Sequence, residues 1–273
     1  MEDIKMKKIL AALLIAVFAL SLASCGKKDS KTITVGATPV PHAEILEVCK
    51  EILAKEGITL VIKEFDDYVI PNTSTEDGSL DANFFQHTPY LDTFNSERGT
   101  HLVSVCAVHY EPLGLYPGKS KSLSSIPDGA QIAIPNDTSN EARALLLLEY
   151  NGIIKLKSGV GVNATVLDIA ENPHNVEIVE MEAAQITAHL PDVDYAVING
   201  NYAINAGLNA AKDALAIETS DSVAAVTYAN VLVVKKGNEN NELVQALAKA
   251  LTSEEVKKFI EEKYEGSVVS MVG

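Results

Sequence analysis

Thr32-Ile33-Thr34-Val35-Gly36, the stretch from His42 to Glu56, and Ile58 to Phe65 together decide the fold. The first segment alternates apolar and polar residues as a half-buried strand does. From His42 to Glu56 the apolar positions Ile45, Leu46, Cys49, Ile52 and Leu53 recur at helical spacing, and Gly57 supplies a stop. Ile58 to Phe65 is again rich in β-formers, so the chain opens strand, helix, strand, the order expected of parallel pairing. Farther along, strands are predicted at Leu102–Val108, Gln131–Ile134, Val176–Val179, Asp194–Ile198 and Asn230–Val234. Helices are predicted at Glu141–Tyr150, Leu243–Leu251 and Glu254–Tyr264. The fold class is therefore α/β, without internal repeats.

Before this folded part, Met6-Lys7-Lys8 precedes an uncharged apolar run from Ile9 to Leu22, which ends in Leu22-Ala23-Ser24-Cys25. Charge, apolar run and small residues in that order form a lipoprotein signal peptide. The apolar run is shorter than the roughly 20 residues of a spanning helix. Residues 1–24 are expected to be removed, leaving Cys25 to carry acyl chains, palmitate among them, through its thiol. The acids Glu2 and Asp3 are unusual in such a leader and point to Met6 as an alternative start. Gly26-Lys27-Lys28-Asp29-Ser30-Lys31 is polar and small, so residues 25–31 read as lipidated cysteine and tether.

The 273 residues carry a net charge of −15, and loss of a leader holding three lysines against two acids makes it −16. Such a surface argues against nucleic acid and against electrostatic adhesion to anionic lipid, so the acyl chains must hold the protein at the membrane. Cys49 and Cys106 sit in apolar patterns that suit small buried thiols; an extracytoplasmic setting permits a disulfide that their spacing does not indicate. A Gly-rich phosphate loop, a Gly-x-Ser-x-Gly elbow and Cys-x-x-Cys or His-Glu-x-x-His spacings are all missing from the sequence. Binding is the default for an anchored α/β protein of this kind.

Three segments could carry that binding. Phe84-Phe85-Gln86-His87-Thr88-Pro89-Tyr90-Leu91 is the densest aromatic and hydrogen-bonding cluster, with Tyr68 not far upstream. Pro89 stiffens it, and a thioether or aliphatic tail would gain burial against Tyr68, Phe85 and Tyr90; the same rings could equally fill a core. In Pro135-Asn136-Asp137-Thr138-Ser139-Asn140-Glu141-Ala142-Arg143, Thr138 and Glu141 stand in capping-box register. Arg143, one of only two arginines, would then lie near a helix start and suit a carboxylate; a surface pair with Glu141 or a neighbouring acid is the alternative. Asp192 to Tyr202 is an apolar strand ending in Asn199-Gly200-Asn201. Ligands of open α/β sheets bind beyond strand carboxyl ends, where Asn199 is either a ligand amide or a plain turn residue.

Taken together, Val35-Gly36-Ala37-Thr38-Pro39 with Pro41-His42-Ala43-Glu44-Ile45-Leu46, Phe85-Gln86-His87 with Pro89-Tyr90-Leu91, Pro135-Asn136-Asp137 with Arg143-Ala144-Leu145-Leu146, and Ala196-Val197-Ile198-Asn199-Gly200-Asn201-Tyr202-Ala203 resemble the NlpA family of methionine-binding lipoproteins. The resemblance covers essentially the whole mature chain. It implies a substrate-binding component of an ABC importer with a two-lobed, periplasmic-binding-protein-like fold and methionine in the interlobe cleft. By the same resemblance Tyr68, Phe85, His87 and Tyr90 enclose the thioether side chain, and Arg143, Asn199 and Asn230 hold the charged end. Asn230, in Tyr228-Ala229-Asn230-Val231, has no other signal than the family. The chain departs from the family's pattern at Thr138-Ser139, where members often carry proline.

Glu111-Pro112-Leu113-Gly114 and the surroundings of Tyr228 are the expected crossings between lobes, giving lobe 1 as residues 32–111 plus 228–273 and lobe 2 as residues 112–227. The implied partners are methionine or a close analogue, an ABC permease and its ATPase, with a monomer tethered outside the cytoplasm and no cofactor or metal. D-methionine, a methionine-containing dipeptide and a non-transport surface lipoprotein are the alternatives. A metal receptor built on His42, His87, His101 and His109 finds no ligand spacing on one helix, and His42 is expected to act as a helix cap. No nucleophile with a neighbouring base marks an enzyme.

Overall fold

The computed structural model describes residues 31–218 and 226–272. The leader, Cys25 and most of the tether lie outside the described residues. Residues 33–273 cluster as one unit, which carries the elements and the site. Among the described residues no helix is long and apolar enough to cross a membrane.

The opening unit forms as the sequence predicts: β1 (Thr32–Ala37), α1 (Glu44–Lys55) and β2 (Thr59–Glu64). Helix α1 begins later than His42, because an irregular turn over Pro39–Ala43 precedes it and buries His42. Gly57 takes a φ of 74°, which costs a residue without a side chain little. The chain continues through α2 (Ile70–Glu76), β3 (Ala82–His87), α3 (Thr88–Arg98) and β4 (Leu102–Tyr110). After the site-bearing middle of the chain, β12 (Ala229–Lys235), α6 (Glu242–Leu251), α7 (Glu254–Tyr264) and β13 (Val269–Ser270) return to the same sheet, whose order is β13-β4-β12-β3-β1-β2.

The middle of the chain builds a second sheet from β5 (Gly114–Pro117), β6 (Gln131–Pro135), β9 (Glu177–Met181), β10 (Tyr195–Ile198) and β11 (Ala216–Ile217), in the order β11-β5-β10-β6-β9. A separate two-stranded ribbon, β7 (Lys155–Leu156) and β8 (Ile169–Glu171), flanks α4 (Thr138–Tyr150) in sequence. This is the two-lobed α/β fold expected, with one correction. The sheets are mixed: β1 with β3, β6 with β10 and β6 with β9 run parallel, whereas β12 is antiparallel to β3 and β4, and β5 to β10. A strand that returns from the other sheet need not follow the right-handed crossover that makes neighbours parallel.

Burial explains why the strands read as apolar runs. On β10, Tyr195 and Val197 join the core of Ile132, Leu145 and Leu148, while Ala196 and Ile198 face Tyr116, Ile186 and Tyr202 on the other side. Both faces of that strand are covered, so alternation disappears. The first sheet is packed by α1 and α6 through Ile45, Leu46, Leu247 and Leu251 against Ile33, Val35 and Leu232. Cys49 and Cys106 belong to this core region as free thiols, and burial pushes the Cys106 thiol up to about 11.

Candidate functional site

Strand pairing assembles the first wall. Along β3, β12 and β4 the register sets Asn230 opposite both His87 and His109. His87 ends β3 and caps α3: its Nδ1 accepts from the Tyr90 backbone N–H at 3.2 Å, which fixes the proton on Nε2. That Nε2 donates to Asn140 Oδ1 at 3.1 Å. Beside it the Tyr68 ring lies tilted 5.6 Å from Phe85 and edge-on 5.5 Å from Tyr90, with Tyr202 completing the group at 5.0 Å from Tyr68. The rings that could have filled a core thus form a wall.

The second wall comes from the other sheet. Helix α4 is capped by Asp137, whose Oδ1 accepts from the Asn140 backbone N–H at 3.1 Å; Thr138 and Glu141 do not form the expected capping box. Glu141 instead accepts from the Val166 backbone at 2.9 Å. The Asn140 side chain donates to both Asp137 oxygens at 2.9 Å, and Asn140 Oδ1 accepts from Asn199 Nδ2 at 2.8 Å. Asn199 follows β10 and precedes the short helix α5 (Gly200–Asn205), beyond a strand end as its sequence position predicts. Its Oδ1 is buried and has no partner among the described residues, an expensive arrangement for a carbonyl oxygen.

Arg143 is 3 % exposed rather than a surface residue. Its Nε donates to Glu218 Oε1 at 2.9 Å, its Nη2 donates to Glu218 Oε2 and to the Glu111 carbonyl at 2.9 Å, and its guanidinium lies 4.2 Å above the Tyr228 ring. Burial opposes the arginine's charge, and the Glu218 carboxylate more than offsets it, holding the guanidinium above its ordinary range. Burial likewise opposes the charge of Glu218, which Arg143 and the Tyr110 hydroxyl, donating at 2.8 Å, hold ionised below the usual carboxylate range.

Between these walls lies a narrow cavity of about 20 Å³. Tyr68, Phe85, His87, Tyr90, Arg143, Asn199 and Asn230 all line it. So do Gln86, Glu111, Asn140, Gly200 and Asn201, which sequence reasoning did not single out as site residues. Asn140 and Asn201 stand inside segments quoted for their neighbours, and Glu111 was read as a crossing between lobes. Tyr68 Oη donates to Asn201 Oδ1 at 2.5 Å, and Tyr202 Oη to the Asp66 carbonyl at 3.0 Å, so hydrogen bonds join residues of the two sides at the cavity rim. Gly200 is required by close approach: a Cβ there would sit 2.6 Å from Glu111 Cβ and 2.8 Å from Glu111 Oε2.

Behind Asn230, His42 is not a helix cap. Asn230 Oδ1 accepts from His42 Nε2 at 3.1 Å, which leaves His42 Nδ1 to accept from the Thr38 hydroxyl at 2.7 Å. His109 Nε2 and Glu111 Oε1 share a hydrogen bond at 2.8 Å. His42, His109 and Glu111 offer donor atoms within 4.8 Å of one another, a grouping the sequence spacing did not reveal; His42 Nε2 bonds Asn230 and His109 Nε2 bonds Glu111, while the buried His109 Nδ1 has no partner among the described residues. Burial lowers His42 to about 4, with Glu111 opposing the shift, and lowers His109 to about 3. Burial, reinforced by the nearby Arg143 charge, lowers His87 to about 3. Glu111 is raised by the same desolvation. The wall is therefore neutral imidazole and amide, with one fixed ion pair, Arg143 and Glu218.

Comparison with known proteins bears on what this arrangement does. The chain matches the family described as NlpA lipoprotein over residues 33–272. It is 46 % identical to the membrane lipoprotein TpN32 of Treponema pallidum, covering 97 % of this chain and 98 % of that protein. It is 40 % identical to the methionine-binding lipoprotein MetQ of Bacillus subtilis, again covering 97 % and 98 %. Among solved structures, a nutrient binding protein from Burkholderia cenocepacia bound to methionine superposes with a TM-score of 0.83 at 46 % identity, over 88 % of this chain and 99 % of that one. Another similar structure, from Coxiella burnetii, is an ABC transporter periplasmic substrate-binding protein. Four separated motifs, a full-length match and the shared two-lobed fold lead to one conclusion: the chain belongs to the NlpA lipoprotein family.

Proposed function

We propose that this protein captures methionine outside the cytoplasm and delivers it to an ABC permease and its ATPase, acting by binding and not by catalysis. The observation that carries the reading is one narrow cavity that has packed aromatic rings on one side and a buried arginine with an unpartnered asparagine carbonyl on the other. Tyr68, Phe85, His87 and Tyr90 take the thioether tail, which gains burial and sulfur–aromatic contact. Arg143, Asn199 and Asn230 hold the charged end, with an amide carbonyl accepting from the ammonium and the arginine facing the carboxylate.

The lobes are residues 32–111 plus 228–273 and residues 112–227, and the ligand touches both only when they close. Cys25 carries the lipid that anchors a monomeric chain to the membrane. Calorimetry on unlipidated protein from residue 26 onward tests the reading, with L-methionine, D-methionine, leucine and methionyl dipeptides as ligands. Binding of either methionine enantiomer at micromolar concentration or tighter, at least tenfold ahead of leucine, supports it. Equal affinity for leucine, or no binding of methionine, overturns it.

A further inference from the structure

The charges buried around the cavity can be counted. Arg143 contributes one positive charge and lines the cavity; Glu218, on its far side, contributes one negative charge and does not line it. Glu218 is fixed from several directions, by Arg143 Nε and Nη2, by the Tyr110 hydroxyl and by the Leu113 backbone N–H at 3.1 Å. None of these partners is a mobile surface group, and the carboxylate is 10 % exposed. Among the described residues the other titratable groups on or behind the wall offer no positive charge: His42, His87 and His109 are neutral, and Glu111 and Asp137, both of whose carboxyl oxygens accept from the Asn140 side chain, can only add negative ones. Arg98 lines a neighbouring groove and lies over the Phe94 ring.

We infer that Glu218 is a positioning and specificity-determining residue: it holds the Arg143 fork and cancels its charge, so that the cavity retains zwitterionic thioether amino acids and rejects thioether acids that lack the ammonium. The inference rests on the methionine reading above. A desolvated site takes a ligand at low cost when the summed charge stays near zero, and an uncompensated buried ion is costly. A zwitterion adds nothing to a neutral site. An anion such as 4-(methylthio)butanoate adds a charge that nothing on the wall can offset. A cation such as methioninamide has the buried carboxyl groups of Glu111, which lines the cavity, and Asp137, bonded to Asn140, to offset its charge. A lone arginine in the same place would show the opposite preference.

Calorimetry with these three ligands on the unaltered protein, Glu218→Gln and Glu218→Asp separates the possibilities. The unaltered protein is expected to bind methioninamide more tightly than 4-(methylthio)butanoate, and methionine at least 100-fold more tightly than the anion. Glu218→Gln shifts the anion-to-methionine affinity ratio at least tenfold toward the anion, whereas Glu218→Asp keeps the original ratio even where both affinities fall. A merely structural glutamate would lower all affinities together, so an unchanged ratio in Glu218→Gln overturns the inference. If that variant does not fold, the unaltered protein decides alone: an anion bound within threefold of methionine, or ahead of the amide, overturns it. Failure of the unaltered protein to bind methionine overturns the proposed function, and this inference with it.

Discussion

Asn199 donates through Nδ2 to Asn140 Oδ1 at 2.8 Å, and this bond commits the amide's donor end while its buried carbonyl oxygen stays without a partner. Asn140 Oδ1 also accepts from His87 Nε2 at 3.1 Å, so one amide oxygen ties the aromatic wall to the polar one. A buried acceptor left unpaired costs about 1–3 kcal/mol, which the ammonium of the proposed ligand would recover.

Asn199→Ala is therefore expected to weaken methionine binding by roughly 1–3 kcal/mol, about 5- to 150-fold, because the ammonium loses an acceptor. Folding stability changes by less than about 1 kcal/mol, since the orphan oxygen is removed together with its one bond. Calorimetry and urea titration on the same preparation check both halves; a stability loss with intact affinity would contradict the assignment.

Arg143→Ala removes the cation proposed to face the ligand's carboxylate and also strands Glu218 in a buried position. Affinity is expected to fall by about 3 kcal/mol and stability by about 3–5 kcal/mol. The double change Arg143→Met with Glu218→Gln restores most of the stability, as replacing a whole buried pair is far less costly than halving it, and leaves binding lost. Chemical denaturation of the three proteins, read beside their methionine affinities, distinguishes the two roles.

Stability should fall with acid well before the ordinary carboxyl range. His42, His87 and His109 sit at about 4, 3 and 3 when folded, against 6.5 when unfolded, so the unfolded chain takes up protons first. Their contribution is complete above pH 6.5 and is lost as pH falls toward 4, each histidine costing up to ~1.4 kcal/mol per pH unit. Glu111 and Asp137, both raised by burial, act in the opposite direction as they take up protons and soften the lower end. The urea midpoint is expected to drop between pH 7 and 5, less steeply in His87→Gln; a flat midpoint would exclude neutral buried histidines.

Gly200→Ala places a methyl group 2.6 Å from Glu111 Cβ, so either the carboxylate or the start of α5 must move. Overpacking of this kind costs about 1–3 kcal/mol of stability. Methionine affinity falls as well, because Asn199 and Asn201 flank the same residue and both line the cavity. A thermal melt together with a binding isotherm reads the two effects.

Cys25→Ser removes the sulfur that would carry the lipid. Labelled palmitate should then fail to incorporate and the protein should leave the membrane fraction, since an acidic surface offers no second hold on anionic lipid. Retention of label in the variant would move the anchor elsewhere.

The sequence by itself determined the elements and the identity of most of the site. Apolar periodicity and glycine stops placed β1, α1, β2, β10 and α7 within a few residues, because burial of one face is a local property of the chain. Motifs around Phe85, Arg143 and Asn199 marked six residues that line one cavity, because rings, arginine and amides announce their chemistry by type, and the family resemblance added Asn230. Tertiary structure alone decided the partners. Glu218 meets Arg143 across 75 residues of chain, and His42 meets Asn230 across 188; no local pattern records a pairing made by sheet register and the return of β12 from the second sheet. For the same reason Asp137 rather than Thr138 caps α4: the Thr138 and Glu141 register is local, whereas three-dimensional contacts, with Thr138 Oγ1 donating to Glu97 at 2.8 Å and Asp137 Oδ1 facing the Asn140 N–H, decide the cap. The charge state of the cavity follows from those long-range pairs, since desolvation is a property of the folded surroundings and not of the residue.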